Sequence, residues 1–281
     1  MEYTKSLERF IAGMQDAGRT TDEIRRRFLD FGWHPKSVDA ALGLATGAVP
    51  DVVEIGPDLT GLPTRIAISG AESSVVMRMH HPDICLLANV LSEAECQELI
   101  DLAKPKLHRS KVYVTDSERS SDGVVSYVRT SQQTGFRYGE SEPFDRLYER
   151  LSALVRWPIS HMESLHVVRY LPGADFAPHH DFFSPPDQGD LLEFGGQRLA
   201  SVVIYLNTPV SGGATSFLDI QTEIFPQQGS LLYFSYIGAN EGTLSLHAGV
   251  PLGSGEKWIA TIFLKNKEQI VEGGSSQVPR Q

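Results

Sequence analysis

From Trp157 onward the chain is a series of short runs dense in Val, Ile, Tyr and Phe: "SLHVVRYL", "LASVVIYLN", "SLLYFSY" and "WIATIFL", separated by Gly or Pro. Branched and aromatic side chains suit a pleated backbone, and Gly or Pro between runs supplies turn geometry. Runs of this length and spacing commit the second half of the chain to an antiparallel β domain.

The first half reads differently. Leu7, Phe10, Ile11, Met14 and Ala17 fall at helical spacing and Gly18 follows as a stop. Thr20 and Glu23 make a capping box for a second helix through Ile24, Phe28 and Phe31, and Ser37 caps a third through Val38, Ala41 and Leu42. These helices, with "FGW" in a turn, are similar to a ubiquitin-associated module, which would engage a protein partner. The spacing therefore predicts a three-helix module over residues 1–46, a Gly/Pro-rich linker over 47–74, the main domain over 75–268 and a flexible tail over 269–281. Within the main domain, Ser92 and Glu95 cap a helix that buries Cys96, Leu99, Ile100 and Ala103. Another helix runs from Glu142 to Arg156.

Charge narrows the partners. Residues 1–50 hold seven acids and seven bases, so residues 51–281, with 28 acids and 18 bases, carry the whole net charge of −10. Such a surface disfavours nucleic-acid phosphates and anionic membranes. No apolar run reaches membrane-spanning length, and the start lacks the basic stub and apolar core of a signal peptide. Two cysteines, Cys85 and Cys96, in 281 residues point to a reducing compartment, and cytoplasm is the expected location.

The densest polar cluster is "PHHDFF". If it is extended, the period of two sends His179 and Asp181 to one face and His180 to the other. A metal ion needs a third donor. His34 lies in a helical turn, His80 and His81 precede a proline, and His108 and His161 lie near helix ends; His247 instead follows a strand, ten residues before Lys257. Two histidines and one carboxylate leave open positions on non-haem Fe(II). The same donors also serve hydrolytic zinc. Lys257 favours iron, because an oxo-acid bound at an open Fe(II) site needs a fixed cation for its far carboxylate.

Together "SLHVVRYLPGADFAPHHDFF", "GGQRLASVVIYLNTPVSGGATSF" and "LSLHAGVPLGSGEKWIATIFL" resemble the prolyl 4-hydroxylase branch of the Fe(II)/2-oxoglutarate dioxygenases, over roughly Leu86 to Leu264. The resemblance implies a mostly β fold, a cupin-like double-stranded β-helix or jelly roll with flanking helices. It implies His179, Asp181 and His247 as catalytic iron ligands and Lys257 as the salt-bridge partner of 2-oxoglutarate. Tyr170 would hydrogen-bond the same carboxylate and Thr215 would line its pocket. Arg198 would contact substrate, and Arg129 of "VRTS" would sit in a loop closing over a peptide. Fe(II), 2-oxoglutarate and O2 are the implied cofactors, with ascorbate as a supporting reductant.

Some positions depart from the family pattern. Phe176, in the substrate pocket, stands where tyrosine is usual, as does His180; Phe263 replaces a frequent tryptophan, and "RTSQQTGF" is longer than usual. These changes fall on the pocket that reads substrate. The leading expectation is hydroxylation of an aliphatic C–H bond of a prolyl residue in a peptide or protein. A free amino acid or other small molecule is the alternative substrate. A zinc hydrolase and a non-catalytic binding protein are the readings outside oxygenase chemistry.

Overall fold

The computed structural model describes residues 5–16, 18–30, 39, 42–44, 56–59, 61–68, 71–112, 124–125, 130–183, 192 and 195–269. The chain begins with α1 (Lys5–Asp16) and α2 (Thr21–Asp30). Its capping box is closed from both sides, Thr20 N–H donating to Glu23 Oε2 at 2.9 Å and Glu23 N–H to Thr20 Oγ1 at 3.3 Å. Most of the expected third helix lies outside the described residues, but Asp39 is helical and accepts a 2.6 Å hydrogen bond from Arg25.

The main domain contains β1 (Arg65–Ile68), β2 (Ala71–His80), β3 (Asp83–Ala88), α3 (Glu93–Ala103), β4 (His108–Arg109), β5 (Lys111–Val112), β6 (Val124–Val125), β7 (Gln132–Phe136) and α4 (Glu142–Val155). It continues through β8 (Leu165–Tyr170), β9 (Phe176–His179), β10 (Arg198–Tyr205), β11 (Ser211–Gly212), β12 (Thr215–Phe217) and β13 (Thr222–Ile224). The last strands are β14 (Leu231–Ser235), β15 (His247–Gly249), β16 (Leu252–Ser254) and β17 (Lys257–Lys265). A nine-stranded sheet in the order β1-β2-β3-β14-β10-β17-β8-β7-β4 faces a four-stranded sheet in the order β13-β12-β15-β9. This is the jelly roll that the sequence leads one to expect.

One boundary differs from expectation. The linker reading extends to residue 74, yet residues 65–68 and 71–74 pair as the first hairpin of the major sheet, Arg65 opposite Ser74. Gly and Pro composition hid a short edge hairpin whose Ile66 packs on the core. Leu59 is buried in the same cluster. The C-terminal tail beyond Gln269 lies outside the described residues.

Strand alternation divides the major sheet into two cores. Leu231 and Tyr233 of β14, Val202 and Ile204 of β10, and Trp258 and Ala260 of β17 pack with α3 and α4. Their neighbours Leu232, Phe234, Tyr205 and Ile259 face the minor sheet instead. Central strands buried on both faces read as continuous apolar runs for this reason. Each fully buried large side chain contributes roughly 1.5–3 kcal/mol by leaving water, so both faces stabilise the sheet and any polar group on the inner face requires a partner.

The helices are fixed by local chemistry. At α3, Glu95 N–H donates to Ser92 Oγ at 3.3 Å and Ser92 N–H to Glu95 Oε2 at 2.8 Å. The other Glu95 oxygen accepts from Arg150 of α4 at 2.6 Å, and Arg150 also donates to the Val90 carbonyl at 2.7 Å. Partial burial opposes ionisation of Glu95, but these bonds hold its carboxyl down at about 2. Cys85 and Cys96 are free thiols in the core, and burial pushes Cys96 up to about 11.

Candidate active site

The site lies where the ends of β9 and β15 meet across the minor sheet. His179 closes β9, His247 opens β15, and the two are Cα partners in the antiparallel register. Asp181 follows β9 in a bend rather than within the strand. One donor atom from each of His179, Asp181 and His247 falls in a set spanning no more than 4.8 Å. Their Nε2 atoms lie 3.4 Å (His179 to Asp181 Oδ1) and 3.5 Å (His247 to Oδ2) from the carboxylate.

The tautomers are set by the backbone. His179 Nδ1 is 2.8 Å from the Ala177 carbonyl and His247 Nδ1 is 2.9 Å from the Ser245 carbonyl. A carbonyl only accepts, so each Nδ1 carries a proton, and in the neutral form of either ring Nε2 turns a lone pair inward. Three electron-rich atoms then converge with no proton among them, and a cation resolves that arrangement. Burial draws the His247 imidazole down to about 4, keeping it neutral. Burial works against an ionised Asp181, but His247, His179 and the Ser201 hydrogen bond outweigh it and hold the carboxyl well below its usual range. The donor set fits a divalent metal with open positions.

A second polar group sits deeper between the sheets. Lys257 opens β17 opposite Tyr170 of β8, its Nζ 5.1 Å from the Tyr170 ring centroid and 5.9 Å from that of Tyr205. It is 3% exposed and has no ion pair among the described residues. Burial alone draws its ammonium down to about 8. Thr215 Oγ1 and Tyr205 Oη are 2.9 Å apart in the same inner core. Gly213 has φ +71°, a backbone conformation that favours glycine, and an added Cβ would come within a tight 3.1 Å of Lys257 Cδ. The Tyr170 hydroxyl has no hydrogen bond among the described residues. A buried ammonium over a tyrosine ring, with no counter-ion among the described residues, suits a carboxylate ligand.

Other sequence-derived residues fare unevenly. Phe176 stacks on the His179 ring, centroids 3.7 Å apart at 24°. His180 turns from the donor cluster to stack on Phe182 at 4.6 Å. Arg129 lies outside the described residues. Arg198, expected to contact substrate, has its guanidinium engaged within the chain. It donates to both Glu163 oxygens at 2.8 and 2.7 Å and to the Asp181 carbonyl at 3.2 Å, and lies 3.6 Å from the Phe263 ring centroid. A β-bulge between Arg198 and Ala200 shifts the register there and sets Arg198 opposite Lys265, on the inner side. Burial opposes ionisation of Glu163, yet Arg198 and Lys265 keep its carboxyl below the ordinary range.

Sequence reading missed Glu163, Ser201, Tyr205 and Tyr236. Ser201 Oγ donates to Asp181 Oδ2 at 2.6 Å and lies 2.9 Å from Tyr236 Oη. Strand parity held the signal, because Ser201 and Tyr205 lie on the same face of β10 as the inner core.

Comparison with known proteins agrees with this geometry. Residues 165–265 match the 2OG-Fe(II) oxygenase superfamily. A putative prolyl 4-hydroxylase of Acanthamoeba polyphaga mimivirus is 33% identical over 189 residues, covering 65% of this chain and 74% of that protein. Probable prolyl 4-hydroxylase 7 of Arabidopsis thaliana is 34% identical over 206 residues, covering 66% of this chain and 63% of its own length. Among solved structures, the viral collagen prolyl hydroxylase of Paramecium Bursaria Chlorella virus-1 aligns with a TM-score of 0.49 at 28% identity, over 64% of this chain and 94% of that one. The chain belongs to the prolyl 4-hydroxylase branch of the 2OG-Fe(II) oxygenases.

Proposed function

We propose that this protein hydroxylates a prolyl residue of a peptide or protein, using Fe(II), 2-oxoglutarate and O2. The observation that carries this reading is the pairing of two receptors between the sheets. One is the His179, Asp181 and His247 donor cluster, and the other is the buried Lys257 ammonium over the Tyr170 ring. A metal held by His179, Asp181 and His247 would supply O2 activation coupled to decarboxylation of 2-oxoglutarate to succinate and CO2, one oxygen atom passing to succinate and the other into the substrate C–H bond.

The residues of this chain bind, orient and exclude water. Lys257 neutralises the far carboxylate of 2-oxoglutarate, Tyr170 donates its hydroxyl to it, and the Thr215–Tyr205 hydroxyl pair closes the wall. Desolvation makes these contacts stronger than the same contacts in water. Phe176 covers one face of His179, which keeps water from that side of the donor cluster and gives the substrate an apolar surface. Arg198 holds the Asp181 backbone through its carbonyl.

The catalytic domain is assigned to the region through residue 268, with the N-terminal helices as a separate partner-binding module. The excess of acids beyond residue 50 supports neutral or basic substrates. Among the described residues no helix is long and apolar enough to cross a membrane. The free, buried cysteines support a reducing, cytoplasmic setting.

Succinate release from 2-oxoglutarate, with mass spectrometry of proline-rich peptides for products heavier by one oxygen atom, tests the reading. His179→Ala and Asp181→Ala should abolish both signals. Full turnover by either folded variant would refute the donor cluster. Oxidation of a small molecule with all prolyl peptides untouched would leave the oxygenase and remove the peptide.

A further inference from the structure

We propose that Tyr236 is a positioning residue for the metal centre, acting through Ser201 to hold the Asp181 carboxylate in one orientation. The proposal rests on the metal-centre reading above and adds to it a residue outside the donor cluster.

The direction of each hydrogen bond follows from the chemistry of the groups. An ionised carboxylate only accepts, so Ser201 Oγ donates its single proton to Asp181 Oδ2 across 2.6 Å. The 2.9 Å contact between Ser201 Oγ and Tyr236 Oη then has one remaining donor, the phenol. The chain reads Tyr236 to Ser201 to Asp181. Burial drives the Tyr236 phenol well above its usual range, so it keeps the proton it donates. Both side chains are 0% exposed, so bulk water does not substitute for either partner.

The relay controls a freedom that the Arg198 contact leaves open. Arg198 fixes the Asp181 main chain through its carbonyl, which leaves rotation of the carboxylate open. Both imidazoles bear inward lone pairs and donate nothing to it in their neutral form. Ser201 is the remaining donor, and it ties Oδ2, leaving Oδ1 beside His179 Nε2 at 3.4 Å. Tyr236 is itself held, its N–H donating to the Leu199 carbonyl at 2.9 Å and its ring resting 6.0 Å from Phe182 and from Phe234, centroid to centroid. A phenol anchored to that degree polarises the serine hydroxyl and strengthens the bond to the carboxylate.

The test is Mn(II) binding, followed by the electron paramagnetic resonance of the free ion, in wild type, Tyr236→Phe, Ser201→Thr, Ser201→Ala and the Ser201→Ala/Tyr236→Phe pair. Loss of an outer hydrogen bond to a ligand weakens metal affinity by about 10–100-fold. Ser201→Ala should fall in that range, Tyr236→Phe should lose roughly 3–10-fold, and Ser201→Thr should stay near wild type. In the Ser201→Ala background, Tyr236→Phe should change Mn(II) affinity by less than about 2-fold, because the relay is already cut. Thermal melting supplies a second cycle: Ser201→Ala strands a buried phenol, so adding Tyr236→Phe should raise its melting temperature. Unchanged affinity in folded Tyr236→Phe, or independent additive losses in the double variant, would overturn the relay. Absence of Mn(II) binding by the wild type would overturn the metal-centre reading itself, and the relay with it.

Discussion

Lys257 and Tyr170 are Cα partners across β17 and β8, and the lysine ammonium lies 5.1 Å from the tyrosine ring centroid, with no carboxylate paired to it among the described residues. A buried cation in that position is unfavourable until an anion arrives. Removing it should cost 2-oxoglutarate affinity. Losing one member of a buried charge pair costs about 2–5 kcal/mol, so Lys257→Met should raise the 2-oxoglutarate KM by roughly 30-fold or more. Mn(II) affinity should change little. Calorimetric titrations of each ligand separate the two effects, and a larger loss in metal binding would contradict the carboxylate role.

The same lysine sets a pH dependence. Its ammonium is drawn down to about 8 by burial, whereas an unfolded lysine titrates near 10.4. Between these values the unfolded chain binds the extra proton, so this group makes stability rise with pH, by on the order of 3 kcal/mol across the window. Affinity for 2-oxoglutarate runs the other way and should decline as pH rises above about 8, because the anion requires the charged form. Denaturant titrations and 2-oxoglutarate binding from pH 7 to 10, wild type against Lys257→Met, should show both trends in wild type alone.

Arg198 closes a bidentate pair with Glu163 and also holds the Asp181 carbonyl. Arg198→Met would leave Glu163 half-buried with Lys265 as its remaining cation. A fully buried pair broken from one side costs about 3–5 kcal/mol; this half-buried one should cost about 2 kcal/mol, which lowers the melting temperature by roughly 5 °C for a domain of this size. Arg198→Met/Glu163→Gln should recover part of the loss. A melting temperature unchanged in the single variant would show the pair to be energetically idle.

Phe176 stacks on His179. Adding a hydroxyl there alters the substrate wall while leaving the three donor atoms in place. Phe176→Tyr should change kcat/KM for a prolyl peptide by about tenfold, with Mn(II) affinity close to wild type. Equal kinetics for several unrelated peptides in both proteins would remove Phe176 from substrate selection.

Much of the fold was legible because its determinants are local. Ser92 and Glu95 announce a helix start, and the capping box forms at that place because both partners lie within one turn. Val, Ile and aromatic runs mark β8, β10, β14 and β17, since branched side chains fit a pleat whatever strand lies beside it. The β1–β2 hairpin was lost among glycines and prolines, as its stability comes from pairing with β3 and from packing rather than from its own composition.

The sequence by itself determined the β class, the caps and the identity of the chemical groups: an HxD, a distal histidine and a lysine ten residues after it. Only the tertiary structure decided their meeting. The antiparallel register of β9 against β15 sets His179 opposite His247, and the bulge at Arg198 turns that guanidinium toward Glu163 and Asp181. Ser201 and Tyr236 became partners of Asp181 only when β10 and β14 paired beneath it. Propensities and caps act over a few residues, whereas register, bulges and buried hydroxyl pairs arise from contacts between distant segments, which no local pattern encodes.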